Sequence, residues 1–126
     1  MNDAISALRT RLDRAGVFLS GLCLLHCIAG VFLVGMLGIG GSVLLDPDIH
    51  RWGLAFALVI GAATIGLGAL RHGRMLPLAI GSAGLALMAG AVIVGHGAEE
   101  VLLTVSGVVL VAIAHLVNIR TSGCRA

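Results

Sequence analysis

The sequence predicts an all-α membrane protein, a four-helix antiparallel transmembrane bundle with short loops. Three observations carry that expectation. Of the 126 residues, 59% are hydrophobic and only 11% charged, a balance that water-soluble domains do not have. The charges are also confined: no Asp, Glu, Lys or Arg falls within residues 15–45, 52–70, 75–95 or 101–119. Each window is about as long as, or longer than, the roughly 20 residues that cross about 30 Å of hydrocarbon at about 1.5 Å per residue. Finally, the connections DPDIHR, RHGR and HGAEE are too short to carry the chain across a bundle, so consecutive helices must be antiparallel neighbours.

Taken in order, residues 1–14 form an N-terminal segment with Ile5, Leu8 and Leu12 at helical spacing beside arginines. It is expected either to lie as a short helix on the membrane surface or only to set topology. The apolar run that follows is too long for a signal-peptide core and has no small-x-small cleavage site, so it is read as a retained helix. The transmembrane domain occupies 15–119. Its first window is too long for one span, and Gly35, Gly38, Gly40 and Gly41 mark an end for helix 1, giving a span of about 15–41. The other spans are expected at about 52–70, 75–95 and 100–119, followed by a tail at 120–126. Small residues recur four apart at Gly53, Ala57 and Gly61, at Ala79 and Ala83, and at Ala86 and Gly90. Such faces allow close helix contact, within the monomer or in a homo-oligomer.

Arginine supplies every side-chain cation other than histidine. Arg9, Arg11, Arg14, Arg71, Arg74, Arg120 and Arg125 fall at one end of the predicted bundle and Arg51 alone at the other. The positive-inside bias then puts both termini of this multi-pass chain in the cytoplasm. The opposite rim is acidic and bears histidine, with Asp46, Asp48, His50, His96, Glu99 and Glu100. His50, His96, Glu99 and Glu100 are candidates for capturing a cation there, although loop polarity explains them equally well. His72, between two arginines, reads as loop chemistry. No nucleic-acid partner is expected; the partner that the composition demands is the lipid bilayer.

The chemistry lies in GLCLLHCIAG, residues 21–30. Cys23 and Cys27, four residues apart, share a helical face about 6 Å apart in rise, with His26 on its flank. A disulfide within one helical turn fits poorly, because the approach of the two Cβ atoms is wrong. The order Cys-x-x-His-Cys also differs from the Cys-x-x-Cys-His of covalent haem attachment. A soft metal uses both thiols, and a divalent soft ion held by two thiolates is neutral, which lowers the cost of placing it in lipid. Against that stands the ordinary behaviour of buried cysteine as a small hydrophobe. His115 lies in the inner third of helix 4, at about the expected depth of Cys23, and either completes a metal site or is held by a backbone carbonyl or Asn118.

The run DRAGVFLSGLCLLHC, with His50, the pair Arg71 and His72, and AHLVNIR in helix 4, resembles the MerC family of inner-membrane mercuric ion transport proteins. The resemblance covers roughly residues 13–120, and Ser20, Cys23, His26, Cys27, His115 and Asn118 carry most of it. It implies a four-helix fold with cytoplasmic termini, in which Cys23 and Cys27 take Hg(II) within the membrane and pass it inward. A periplasmic metal carrier and a cytoplasmic thiol acceptor are candidate partners. Mercury-resistance members carry a pair of C-terminal cysteines where this chain has Cys124, a candidate handover thiol, and the proline expected soon after the His-Cys pair is missing from IAGVFLVG.

The function expected is therefore inward transport of a soft metal ion, Hg(II) first, with Zn(II) or Cu(I) as other cargo, by Cys23 and Cys27 with His26 or His115. No resident cofactor is implied. Two other classes stay open: a haem-binding or redox module using buried histidines, and a structural or accessory subunit that uses no metal. An enzyme is not expected, since no Asp or Glu falls in the four charge-free windows to orient a base or nucleophile.

Overall fold

A computed structural model describes residues 1–38, 46–95 and 97–123. Among the described residues it has four helices and no strand. Helix α1 is Asn2–Leu37 and continues unbroken through residues 14 and 15. At 36 residues it is about 54 Å long, well beyond the thickness of a hydrocarbon core. It stops where Gly38 turns into the left-handed region, at φ 65°, with its N–H directed to the carbonyls of Leu33 and Val34.

Helix α2 covers residues 47–72 and starts five residues before the charge-free window. Asp46 is its N-cap and accepts a hydrogen bond from the Asp48 N–H at 3.0 Å, while Pro47 takes the first helical position, where a missing N–H costs nothing. The aspartates of DPDIHR are thus helix-start chemistry rather than a linker. The helix has three parts: Pro47–Gly61, a π-helical turn at Ala62–Gly66, and Leu67–His72. In the wide turn Thr64 and Ile65 are both buried, and the Thr64 hydroxyl donates to the Ile60 carbonyl at 2.7 Å. Gly73, at φ 63°, closes the helix. Helix α3 is Leu76–Val94 and α4 is Ala98–Gly123.

Helices α3 and α4 make the most extensive pairing, α1 packs chiefly on α4, and α2 packs against α3 and α1. The closest crossing is at Gly84 and Gly107, where a Cβ on either would fall 2.6 Å from the other's carbonyl oxygen. The buried positions of α3 are Pro77, Gly81, Gly84, Met88 and Ala91, alternating in steps of four and three. The α3 faces expected from spacing lie elsewhere: Ala79, Ala83 and Ala86 are exposed, and a Cβ on Gly90 would touch only Leu103 at 4.0 Å. Periodicity among small residues identified helix faces correctly but not which face has a neighbour. In α2, Ala57 and Gly61 are buried.

The apolar core is Ala57, Met88, Val108 and Val111, with Cys23, Leu24, Leu54 and Leu85 packed on it. Phe18, Leu25, Phe32, Val59, Leu70, Ile93 and Leu102 point outward and are exposed. Large apolar side chains on the outside and small or polar ones on the inside are what lipid as solvent selects. All four helices have the length and hydropathy to cross a membrane, as a multi-pass chain requires.

Candidate functional site

The interior face of α1 reads Arg9, Asp13, Gly16, Ser20, Cys23, Cys27, Gly30, in alternating steps of four and three residues. All are buried except Cys23, which is half-buried. An apolar helix in lipid has turned its small and polar side chains inward, because that is where partners can satisfy them. Two clusters result, one around the thiols and one around Asp13.

Cys23 and Cys27 are thiols, not a disulfide, and their side chains are in hydrogen-bonding contact with each other. They face different spaces. Cys23 and His26 line a cavity of about 310 Å³ that reaches Ile49 in the first turn of α2 and includes Thr104 of α4. Cys27 lines a groove between α1 and α4 with Val31, Val101 and Val105. Among the described residues no three His, Cys, Asp or Glu side chains converge in a form that could hold a metal ion.

The second cluster was not anticipated. Asp13 and His115 are each 1% exposed, the imidazole Nδ1 lies 2.8 Å from Asp13 Oδ1, and Asn118 Nδ2 donates to Asp13 Oδ2 at 2.8 Å. Both carboxylate oxygens are thus engaged by α4, which removes much of the cost of burying an acid. Arg9 is buried one turn before Asp13, and its Nη2 lies with Asn118 Oδ1 against Gly68 of α2. The imidazole lies flat over Gly16, where a Cβ would fall 2.5 Å from Nε2 and 2.7 Å from its carbon neighbours. Only glycine admits the ring there.

This places His115 differently from the sequence expectation. It faces Gly16, which is about 10 Å along α1 from Cys23, and its holder is Asp13 rather than a carbonyl or Asn118. The expected common depth came from counting inward along α4 alone, which says nothing of how far α1 is slid against it. A small space of about 40 Å³ between Ser20, Cys23 and His115 still adjoins both clusters. Nor are the helices empty of acid. Asp13 belongs to the continuous α1 and sits inside the bundle. Its signal in the sequence was its place on the Gly16, Ser20, Cys23, Cys27 seam.

At the end of the bundle opposite both termini, where two of the three loops lie (the loop end), Glu99 is exposed and Glu100 half-buried in the first turn of α4. His96 and Cys124 lie outside the described residues, as do the side chains of His50, Arg71 and His72. No curated protein and no solved structure matches the chain. The model of one protein family does match, from Asp13 to Arg120, so that the matched stretch starts at the buried acid of α1, takes in both thiols, and ends just beyond Asn118. With nearly the whole four-helix bundle covered, the chain belongs to the MerC mercury resistance protein family.

Proposed function

We propose that the protein carries Hg(II) across a bacterial inner membrane, from the loop end of the bundle to the end that holds both termini, by way of Cys23 and Cys27. The observation that carries this reading is the thiol pair itself: two cysteines in mutual contact, one helical turn apart on the interior seam of α1, in a chain of a mercury resistance family. Hg(II) is soft and is satisfied by two thiolates, and the resulting unit is neutral, so the ion can reside within lipid without a buried net charge. The acidic loop end, with Asp46, Asp48, Glu99 and Glu100, supports entry on that side, and the arginine-rich opposite end supports a cytoplasmic exit. A periplasmic carrier would deliver the ion, and a cytoplasmic thiol, with Cys124 as a relay, would receive it.

The test is uptake of labelled Hg(II) by cells expressing wild type, Cys23→Ser or Cys27→Ser at matched membrane levels, with Zn(II) and Cu(I) run in parallel. Uptake above vector control that both substitutions abolish supports the reading, and the ion preference identifies the cargo. Uptake that survives either substitution overturns it.

A further inference from the structure

The cavity beside Cys23 has a feature that packing alone does not account for. Thr104, on α4, is 2% exposed and lines the same cavity as Cys23 and His26, and its Oγ1 has no hydrogen-bond partner. A helical threonine usually returns its hydroxyl to a carbonyl one turn back, as Thr64 and Thr121 do. Leaving a buried hydroxyl unpaired costs stability that a valine of the same shape would not. The rest of the lining is largely hydrocarbon, from Leu19, Leu22, Leu54, Met88 and Val92. A buried, unpartnered donor and a thiol that line one largely apolar space make the arrangement of a small-ligand site.

We propose that this cavity receives mercury as a neutral two-coordinate complex, mercuric chloride, and that the Thr104 hydroxyl binds the chloride that departs when Cys23 attacks. The inference rests on the transport reading above and specifies its substrate. A hydrated divalent cation would lose its water shell on entering such a lining with nothing to replace it. Mercuric chloride carries no net charge and has no such shell to lose. At about 310 Å³ the space is at the lower end of the 300–1,000 Å³ typical of ligand pockets, suited to a small complex and not to mercury held by two peptide thiols.

In the first exchange the Cys23 S–H bond breaks and an Hg–S bond forms. One Hg–Cl bond breaks, and chloride and the proton leave together as HCl. Thr104 donates its hydroxyl hydrogen to that chloride while the complex is still intact and keeps the bond as the chloride leaves, so the contact acts in substrate binding as well as in the exchange. In the second exchange Cys27 replaces the remaining chloride in the same way, leaving mercury between two thiolates. Mercury stays Hg(II) throughout and nothing is oxidised.

The experiment measures initial uptake of labelled Hg(II) against concentration in proteoliposomes holding wild type, Thr104→Val, Thr104→Ser or Cys23→Ser, with the metal supplied as the dichloride or as its bis-glutathione complex. We expect Thr104→Val to raise the half-saturating dichloride concentration by about tenfold, the worth of one hydrogen bond, with little change in maximal rate. Thr104→Ser should behave as wild type, and the bis-glutathione complex should be a poor substrate. Thr104→Val matching wild type while Cys23→Ser is inactive would overturn this inference and leave the transport reading standing. So would equal losses in the valine and serine variants, or equal uptake of the two mercury complexes. Cys23→Ser retaining full uptake would instead overturn the transport reading. Stopped-flow mixing of detergent-purified wild type and Thr104→Val with mercuric chloride, followed by mercury–thiolate absorbance, gives a readout independent of reconstitution: slower loading at low mercuric chloride supports the assignment and an unchanged rate refutes it.

Discussion

Gly16→Ala isolates the contact between the acid cluster and the helix beneath it. The added methyl would sit 2.5 Å from His115 Nε2, whereas unstrained contacts of this kind begin near 3.5 Å, so the ring must retreat by about 1 Å. The Nδ1 to Asp13 separation is 2.8 Å, and a retreat of that size directed away from the carboxylate takes it past the limit of a hydrogen bond. Losing a buried hydrogen bond to a charged group costs about 1.5–3 kcal/mol, and crowding a tight interior typically costs about 1–3 kcal/mol more. Alanine's preference for helix returns about 0.5–1 kcal/mol. The net expectation is a loss of about 2–5 kcal/mol. Gly21→Ala is the matched control, because nothing lies within 4 Å of its Cβ position on the same helix, and it should be neutral or slightly stabilising. Thermal unfolding in detergent should separate the two by about 8–20 °C, taking roughly 4 °C per kcal/mol for a domain of this size. The double variant Gly16→Ala with His115→Ala should recover the steric part, leaving a favourable coupling between the substitutions. Equal midpoints for Gly16→Ala and Gly21→Ala would refute the stacking of His115 on Gly16.

Asp13→Ala leaves His115 Nδ1 and Asn118 Nδ2 buried without their acceptor and should cost about 3–5 kcal/mol, while Asp13→Asn, which keeps one acceptor, should cost less; denaturant unfolding in mixed micelles ranks them. Gly84→Ala forces a methyl to within 2.6 Å of the Gly107 carbonyl, a backbone atom that cannot swing aside, and should destabilise by about 1–3 kcal/mol. Gly90→Ala on the same helix should not, so matched melting curves check the α3–α4 crossing. Thr104→Val removes an unpaired buried hydroxyl at constant shape and should raise stability by about 1–3 kcal/mol even as it weakens uptake of mercuric chloride.

Much of the architecture could be read from where charge is absent, because a membrane tolerates few charges and the four gaps between them have one natural interpretation. That same criterion misplaced Asp13. Starting the first span after the last charge, at Ala15, assumes that a charged residue marks the water boundary, whereas a carboxylate held by His115 and Asn118 can lie inside the bundle. The partnership itself could not be read: it joins residues 102 positions apart, and spacing along α1 says which residues share a face but not what faces them. Cys23 and Cys27 were legible as a pair because their separation is local. Thr104 was not, since a threonine among valines is distinctive only once its hydroxyl is found without a partner.

The π turn in α2 governs how two distant parts of that helix are aimed. Residues before it, Gly53 and Leu54, line the cavity at Cys23, and Gly68 beyond it receives Asn118 and Arg9. A π turn closes i→i+5 and so holds about one residue more than the α turn it replaces, which absorbs that residue without turning the helix beyond it. Removing one residue from 62–66 would therefore restore regular winding with Gly68 still facing α4, whereas removing one from the regular stretch at 55–59 would swing everything after it around the axis by about 100°. In this bundle the wide turn acts as slack in the winding, and only a deletion outside it should be felt at the acid cluster.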